Sequence, residues 1–181
     1  NEPSGNYMFS GKKTEQIKLS GSSADIAGKN ARQIFATVPG VFVYDMDGAG
    51  NQINIGARGL DPHRSWEFNM RKDGIITNSD MYAYPASHFS MPLESIERIE
   101  IVRGTGSLQY GAQFGGMINF ISKQPDSSKK INADLLHSLG SYQMRSAFYS
   151  ISGKWKKWTY TGYVHIRERA GYRDAESSSG D

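Results

Sequence analysis

The sequence predicts an α+β unit, a small mixed sheet with short helices, followed by an antiparallel meander of longer strands. Three observations carry this expectation. Residues 96 to 123 hold two short alternating apolar runs, Ile96-Glu-Arg-Ile-Glu-Ile-Val-Arg103 and Met117-Ile-Asn-Phe-Ile-Ser122, around a glycine-dense stretch. The chain carries 20 glycines and 10 tyrosines, a balance that suits turns and strands better than helical bundles. Beyond residue 130, Ile131–Leu139, Gln143–Ser152 and Trp158–Glu168 form runs of about ten residues separated by short turn segments.

Taken in order, residues 1–29 are rich in Gly, Ser, Lys and Asn and read as a flexible arm. Within it Thr14-Glu-Gln-Ile-Lys-Leu-Ser20 alternates polar and apolar residues, as a first strand or a strand added to another sheet would. Asn30 is placed to cap a helix over Ala31–Val38, with Ile34, Phe35 and Val38 on one face and Pro39-Gly40 as the stop. Val41–Tyr44 and Gln52–Arg58 read as strands, and Trp66–Lys72 with Gly74–Ile76 as extended segments around an Asp73-Gly74 turn. Residues 80–90 form an aromatic loop with Tyr82, Tyr84, His88 and Phe89, and Pro92 opens a helical turn before the strand at Ile99–Val102.

A linker at 124–130 contains Pro125, and the turns beyond it fall at Gly140-Ser141 and Gly153–Lys157. Trp158, Tyr160, Val164 and Ile166 share one face of the last run; Thr159, Thr161, His165 and Arg167 share the other. A barrel wall and a soluble sandwich both produce that alternation.

Composition narrows the function. The net charge is +3, but acids interleave with the bases and only Lys154, Lys156 and Lys157 cluster; no nucleic-acid module is expected. With no cysteine there is neither a disulfide framework nor a thiolate metal site. Gly104-Thr-Gly106 is followed by Gln109 where a dinucleotide fingerprint needs glycine, and Asp45–Gly50 opens like a calcium loop whose twelfth position is Gly56. His63, His88, His137 and His165 lack metal-ligand spacing, and no nucleophile elbow is present. No enzymatic activity and no covalently bound cofactor are expected.

The stretch from Ile96-Glu-Arg-Ile-Glu through Arg103-Gly and Tyr110-Gly to Gly115-Gly and Ile118-Asn resembles the end of the plug domain of TonB-dependent outer-membrane receptors. Asn30–Gly40 is similar to that domain's opening helix, Ile55-Gly-Ala-Arg-Gly59 to its central strand, and Gly171-Tyr-Arg-Asp174 to the family's early barrel. Gly59-Leu-Asp-Pro-His-Arg-Ser-Trp-Glu-Phe-Asn69 looks most like the ferric dicitrate branch.

The resemblance implies a plug at 30–123 and, from 131 to 181, the first strands of a transmembrane β-barrel and the start of an extracellular loop. In the family the plug fills a barrel of about 22 strands in the Gram-negative outer membrane. Three strands leave that barrel incomplete, so the natural protein is expected to continue past Asp181. From its start at Asn1-Glu-Pro, with no initiator methionine, a processed or excised segment is expected.

The implied partners are TonB with its inner-membrane energising complex, the outer membrane, and a ferric chelate as transported ligand. Ligand contacts fall to His63, Arg64, Tyr82 and Tyr84, cation and hydroxyl groups suited to an anionic complex. Glu15, Gln16, Ile17, Lys18 and Leu19 occupy the place of the TonB box, and Arg58, Glu97, Arg98, Glu100 and Arg103 are candidates for contacts between plug and barrel. The alternatives are a stand-alone soluble binding module and a receptor for a corrinoid or an oligosaccharide.

Overall fold

The structure, a computed structural model, describes residues 3–4, 7–8, 14–20, 26–27, 31–35, 37–44, 54–65, 67–77, 91–103, 115–141 and 143–170. It divides into two compact units between Gln124 and Pro125.

In the first unit, β1 (Pro3–Ser4) and β2 (Tyr7–Met8) make a minimal antiparallel pair. The main element is a mixed five-stranded sheet in the order β3-β8-β9-β6-β7, built from β3 (Thr14–Lys18), β6 (Phe68–Lys72), β7 (Ile75–Ile76), β8 (Ile96–Arg103) and β9 (Gly116–Ser122). Pairing is antiparallel except between β6 and β9. Helix α1 (Ala31–Phe35) and a second antiparallel pair, β4 (Val41–Tyr44) with β5 (Asn54–Ala57), complete the unit. The expected α+β class with a small mixed sheet and little helix is what the chain adopts.

Register explains which face is buried. Ile17, Ile99 and Phe120 stand opposite one another across β3, β8 and β9, and Ile101, Ile118 and Met70 across β8, β9 and β6. All six belong to the core, which Ile34, Phe35, Val43, Ile55 and Leu93 join. Each fully buried side chain of this size contributes about 1.5–3 kcal/mol relative to exposure. A register shift between Ile96 and Arg98 places an extra residue, Glu97, in β8. That bulge returns Ile96, fully buried, to the apolar face it would otherwise leave.

Thr14–Lys18, read as a strand within an otherwise flexible arm, is the edge strand of the sheet, because Ile17 and Leu19 bury their side chains in the core. Two expectations are corrected. The helix expected through Val38 stops at Phe35, and Val38 closes a tighter turn by donating its N–H to the Phe35 carbonyl at 3.0 Å; a residue before proline is pushed out of helical geometry. The strand expected to end at Ser152 runs on through Gly153 to Trp155. Asn30, Ile53, Tyr82 and Tyr84 lie outside the described residues.

The β6–β7 hairpin is pinned to β9. Its two central residues have positive φ, Asp73 at 51° and Gly74 at 81°, the two-residue turn whose twist matches paired strands. The Asp73 carboxylate accepts from the Ser122 backbone N–H (2.8 Å) and hydroxyl (2.6 Å), and Gly74 N–H donates to Asn119 Oδ1 at 3.0 Å.

The second unit is an antiparallel meander of β10 (Asn132–Gly140), β11 (Met144–Trp155) and β12 (Trp158–Glu168). One face carries Leu135–Tyr149–Val164 and, in successive rows, Ala133–Ile151–Gly162 and His137–Ala147–Ile166. The other carries Asn132–Ser152–Thr161, Asp134–Ser150–Tyr163, Leu136–Phe148–His165 and Ser138–Ser146–Arg167. The apolar face is exposed, with Leu135 at 71%, Val164 at 58% and Ile166 at 55%.

Asp73→Ala removes two hydrogen bonds to Ser122 and leaves a residue poorly suited to positive φ. Its unfolding free energy is expected to fall by about 1–3 kcal/mol, read from the urea midpoint, whereas Asp73→Asn retains most of the stability.

Candidate functional site

The loop 58–65 is the best-defined candidate, because β5 and its own side chains fix its path. Gly56 lies where a Cβ would stand 2.6 Å from the Leu60 carbonyl oxygen and 3.1 Å from the Pro62 nitrogen, so only glycine lets the loop fold back this closely. Arg58 and Gly59 have φ of 57° and 77° and start the reversal. Leu60 N–H then donates to the Ala57 carbonyl at 3.0 Å, and His63 N–H to Asp61 Oδ1 at 2.9 Å. The far end is a 3₁₀ turn at His63–Ser65. Ser65 is fully buried there and its hydroxyl accepts from Ile55 N–H at 2.8 Å, tying the end of the loop to β5.

This arrangement presents Arg58 exposed and His63 half-buried on a backbone held at both ends. Arg64 lies in the 3₁₀ turn between His63 and Ser65. His63 and Arg64 are consecutive residues of that turn; Tyr82 and Tyr84 fall outside the described residues. Among the described residues no group of three or more His, Asp or Glu is placed to hold a metal ion.

The candidates on β8 belong to a different feature. Arg98 donates through Nε to Glu100 Oε1 at 3.0 Å and lies 3.3 Å from Glu97 Oε1. Glu100 is 1% exposed, and its other oxygen accepts from Asn119 Nδ2 at 3.4 Å. Across the sheet, Arg71 is opposite Asn119 and donates to Asn69 Oδ1 (2.9 Å) and the Gly74 carbonyl (2.6 Å). A polar network thus crosses β8, β9 and β6 on the face opposite the core. Sequence reasoning named Arg98, Glu97 and Glu100 but missed Asn69, Arg71 and Asn119; the polar period-two pair Asn69/Arg71 was the available signal. Arg103 ends β8 opposite Gly116, and Glu15–Lys18 lie in edge strand β3 with Leu19 buried just beyond it.

Ser65→Ala leaves the Ile55 N–H without this acceptor, and Gly56→Ala forces the loop off β5. Both substitutions are expected to speed amide exchange at Ile55 and Leu60 at least about fivefold, since losing a buried partner costs about 1–3 kcal/mol. Exchange unchanged in both variants would show that the loop is held by other means.

Comparison with known proteins agrees with this architecture. The family model described as the TonB-dependent receptor plug domain matches residues 19–117. A vitamin B12 transporter of Vibrio vulnificus is 32% identical over 154 residues, 83% of this chain and 24% of that protein. The ferric enterobactin receptor of Pseudomonas aeruginosa is 27% identical over 125 residues, 64% of this chain and 17% of that protein. Among solved structures, the siderophore receptor PirA of Acinetobacter baumannii superposes with a TM-score of 0.63 at 20% identity, covering 86% of this chain and 24% of that one. The chain spans about a sixth to a quarter of the length of the curated relatives it matches. Matched over more than half its length by the family model, with a mixed sheet shared with solved receptors, the chain belongs to the TonB-dependent receptor plug domain family.

Proposed function

We propose that this chain is the plug and first barrel strands of an outer-membrane transporter that imports a ferric chelate, ferric dicitrate in the finest reading. The observation that supports transport best is the second unit. One face of its meander carries mostly exposed apolar side chains, while the other carries Asn, Asp, Ser, Thr, His and Arg around the Leu136–Phe148 pair, a division that suits a wall between lipid and a polar lumen.

The plug then gates the barrel. His63 and Arg64, in the pinned loop, contribute to ligand binding, with Tyr82 and Tyr84 completing the plug's share of the site. An anionic chelate suits this set, since a guanidinium hydrogen-bonds oxygen anions with charge assistance. TonB engages Glu15–Leu19. Because β3 is an edge strand, TonB can add a strand beside it by backbone pairing without first extracting it. Arg58, Glu97, Arg98, Glu100 and Arg103 supply polar contacts towards the barrel.

A corrinoid cargo is the second reading, favoured by the 32% identity to a vitamin B12 transporter. The full-length receptor carrying this chain decides between them by calorimetric titration with ferric dicitrate, ferric enterobactin and cyanocobalamin. Ferric dicitrate is expected to bind tightest, and Arg64→Ala to weaken it at least about tenfold, the value of a charge-assisted hydrogen bond. Tightest binding of cyanocobalamin would favour the second reading, and an Arg64→Ala affinity equal to wild type would remove Arg64 from the site.

A further inference from the structure

One end of the β10–β12 meander combines features that neither gating nor ligand binding uses. Trp155 and Trp158 stand opposite each other across the β11–β12 turn, 66% and 76% exposed. Lys156 and Lys157 form that turn, Lys156 with φ of 56°, and Lys156 Nζ lies 5.3 Å from the Trp155 ring centroid. Lys154, also exposed, precedes Trp155.

Two more lysines arrive through the fold. Tyr160 donates its hydroxyl to the Lys130 carbonyl at 2.8 Å, and Lys154 N–H approaches the Lys129 carbonyl at 3.3 Å. Gly153 makes this possible, because a Cβ there would collide with the Lys130 carbonyl and stand 2.8 Å from the Tyr160 hydroxyl. Asp126 pairs with Lys129 at 3.7 Å. Its carboxyl is held below the usual value, first by the Ser128 hydroxyl, then by the Ser128 N–H and Lys129.

The opposite end of the apolar face differs. There Arg145 stands across from Glu168, so charge is balanced in register. Rows on one face repeat about every 6.8 Å along a strand, so the Trp155–Trp158 row and the Arg145–Glu168 row lie about 34 Å apart along β11. At a barrel strand's tilt this corresponds to about 25 Å of height, the apolar band of an outer-membrane wall. The lysines then stand at one boundary of that band, beside indole rings of the kind that settle at headgroup depth.

We infer that Lys130, Lys154, Lys156 and Lys157, with Trp155 and Trp158, form a binding surface for anionic phospholipid headgroups at one edge of the bilayer. This rests on the barrel reading proposed above. The tryptophans set the depth and each exposed ammonium pairs with headgroup phosphate, a surface attraction that accumulates per lysine. A zwitterionic headgroup offers no net charge to the cluster, so phosphatidylglycerol is selected over phosphatidylethanolamine.

The test uses the full-length receptor purified from outer membranes, with copurifying phosphatidylglycerol and phosphatidylethanolamine quantified against the bulk membrane. Wild type is expected to be enriched in phosphatidylglycerol, and the triple substitution K154Q, K156Q and K157Q to lower that enrichment at least about fivefold. Arg145→Gln, at the balanced end, is expected to leave it unchanged. Unboiled electrophoresis reports whether the barrel is folded in each variant. A folded triple variant that keeps the full enrichment overturns the headgroup surface and leaves the barrel reading standing. Wild type that shows no heat-dependent mobility shift and stays out of the outer-membrane fraction overturns both. If the triple variant does not fold, single K156Q and K157Q substitutions are read in the same way, and unchanged enrichment in both overturns the proposal.

Discussion

The burial of the Glu100 carboxylate constrains the first unit more than any single apolar contact. A charge removed from water in the middle of a sheet costs several kcal/mol unless its oxygens are paired. Here one oxygen takes the Arg98 guanidinium and the other the Asn119 amide. Asn119 also receives the Gly74 N–H, and Gly74 in turn offers its carbonyl to Arg71. The two faces of the sheet therefore have different specificities. The apolar face demands only volume and hydrophobicity, whereas the polar face fixes the register of β8 on β9 and of β6 beside it, since a slip by one residue would strand a buried carboxylate.

The two units solve the problem of apolar surface in opposite ways. Residues before Gln124 place Ile99, Ile101, Ile118 and Phe120 between the sheet and the elements packed on it. Residues after Pro125 leave Leu135, Leu139, Val164 and Ile166 largely exposed while their polar side chains line the other face. His137 stands on the apolar face, and its Nε2 meets the Tyr149 hydroxyl at 2.7 Å. A polar atom on an apolar surface is costly in lipid unless satisfied locally, and this pair satisfies itself within the sheet. Ser150 with Asp134 and Ser146 with His165 do the same on the polar face.

Much of this was legible in the residues. Strict alternation gave the faces of β12, and Asp73-Gly74 gave a hairpin turn. The ends were harder to read. Gly153 looks like a turn residue, yet it lies within β11 because the Lys130 carbonyl occupies the space a side chain would fill. The bulge at Glu97 has no local signal, since it is defined by what β9 places opposite. In the candidate loop, Arg64 and His63 were visible as chemistry. The role of Ser65 was not, because its partner Ile55 is distant in sequence and close only after folding. The partner of β3 was hidden for the same reason: its alternation marked a strand, but Ile17 finds Ile99 only across a long intervening segment.

That last pairing bears on how the domain is made. In the sheet order β3-β8-β9-β6-β7, the edge strand is the earliest of the five in sequence, and the parallel β6–β9 pair joins segments separated by the whole of β7 and β8. Loop closure must be completed before such contacts repay it, so folding is slow relative to a hairpin-built sheet of equal size. A chain emerging N-terminus first has no partner for Thr14–Lys18 until Ile96–Arg103 has followed. Until then the sheet has no centre, and β3 has no strand to border.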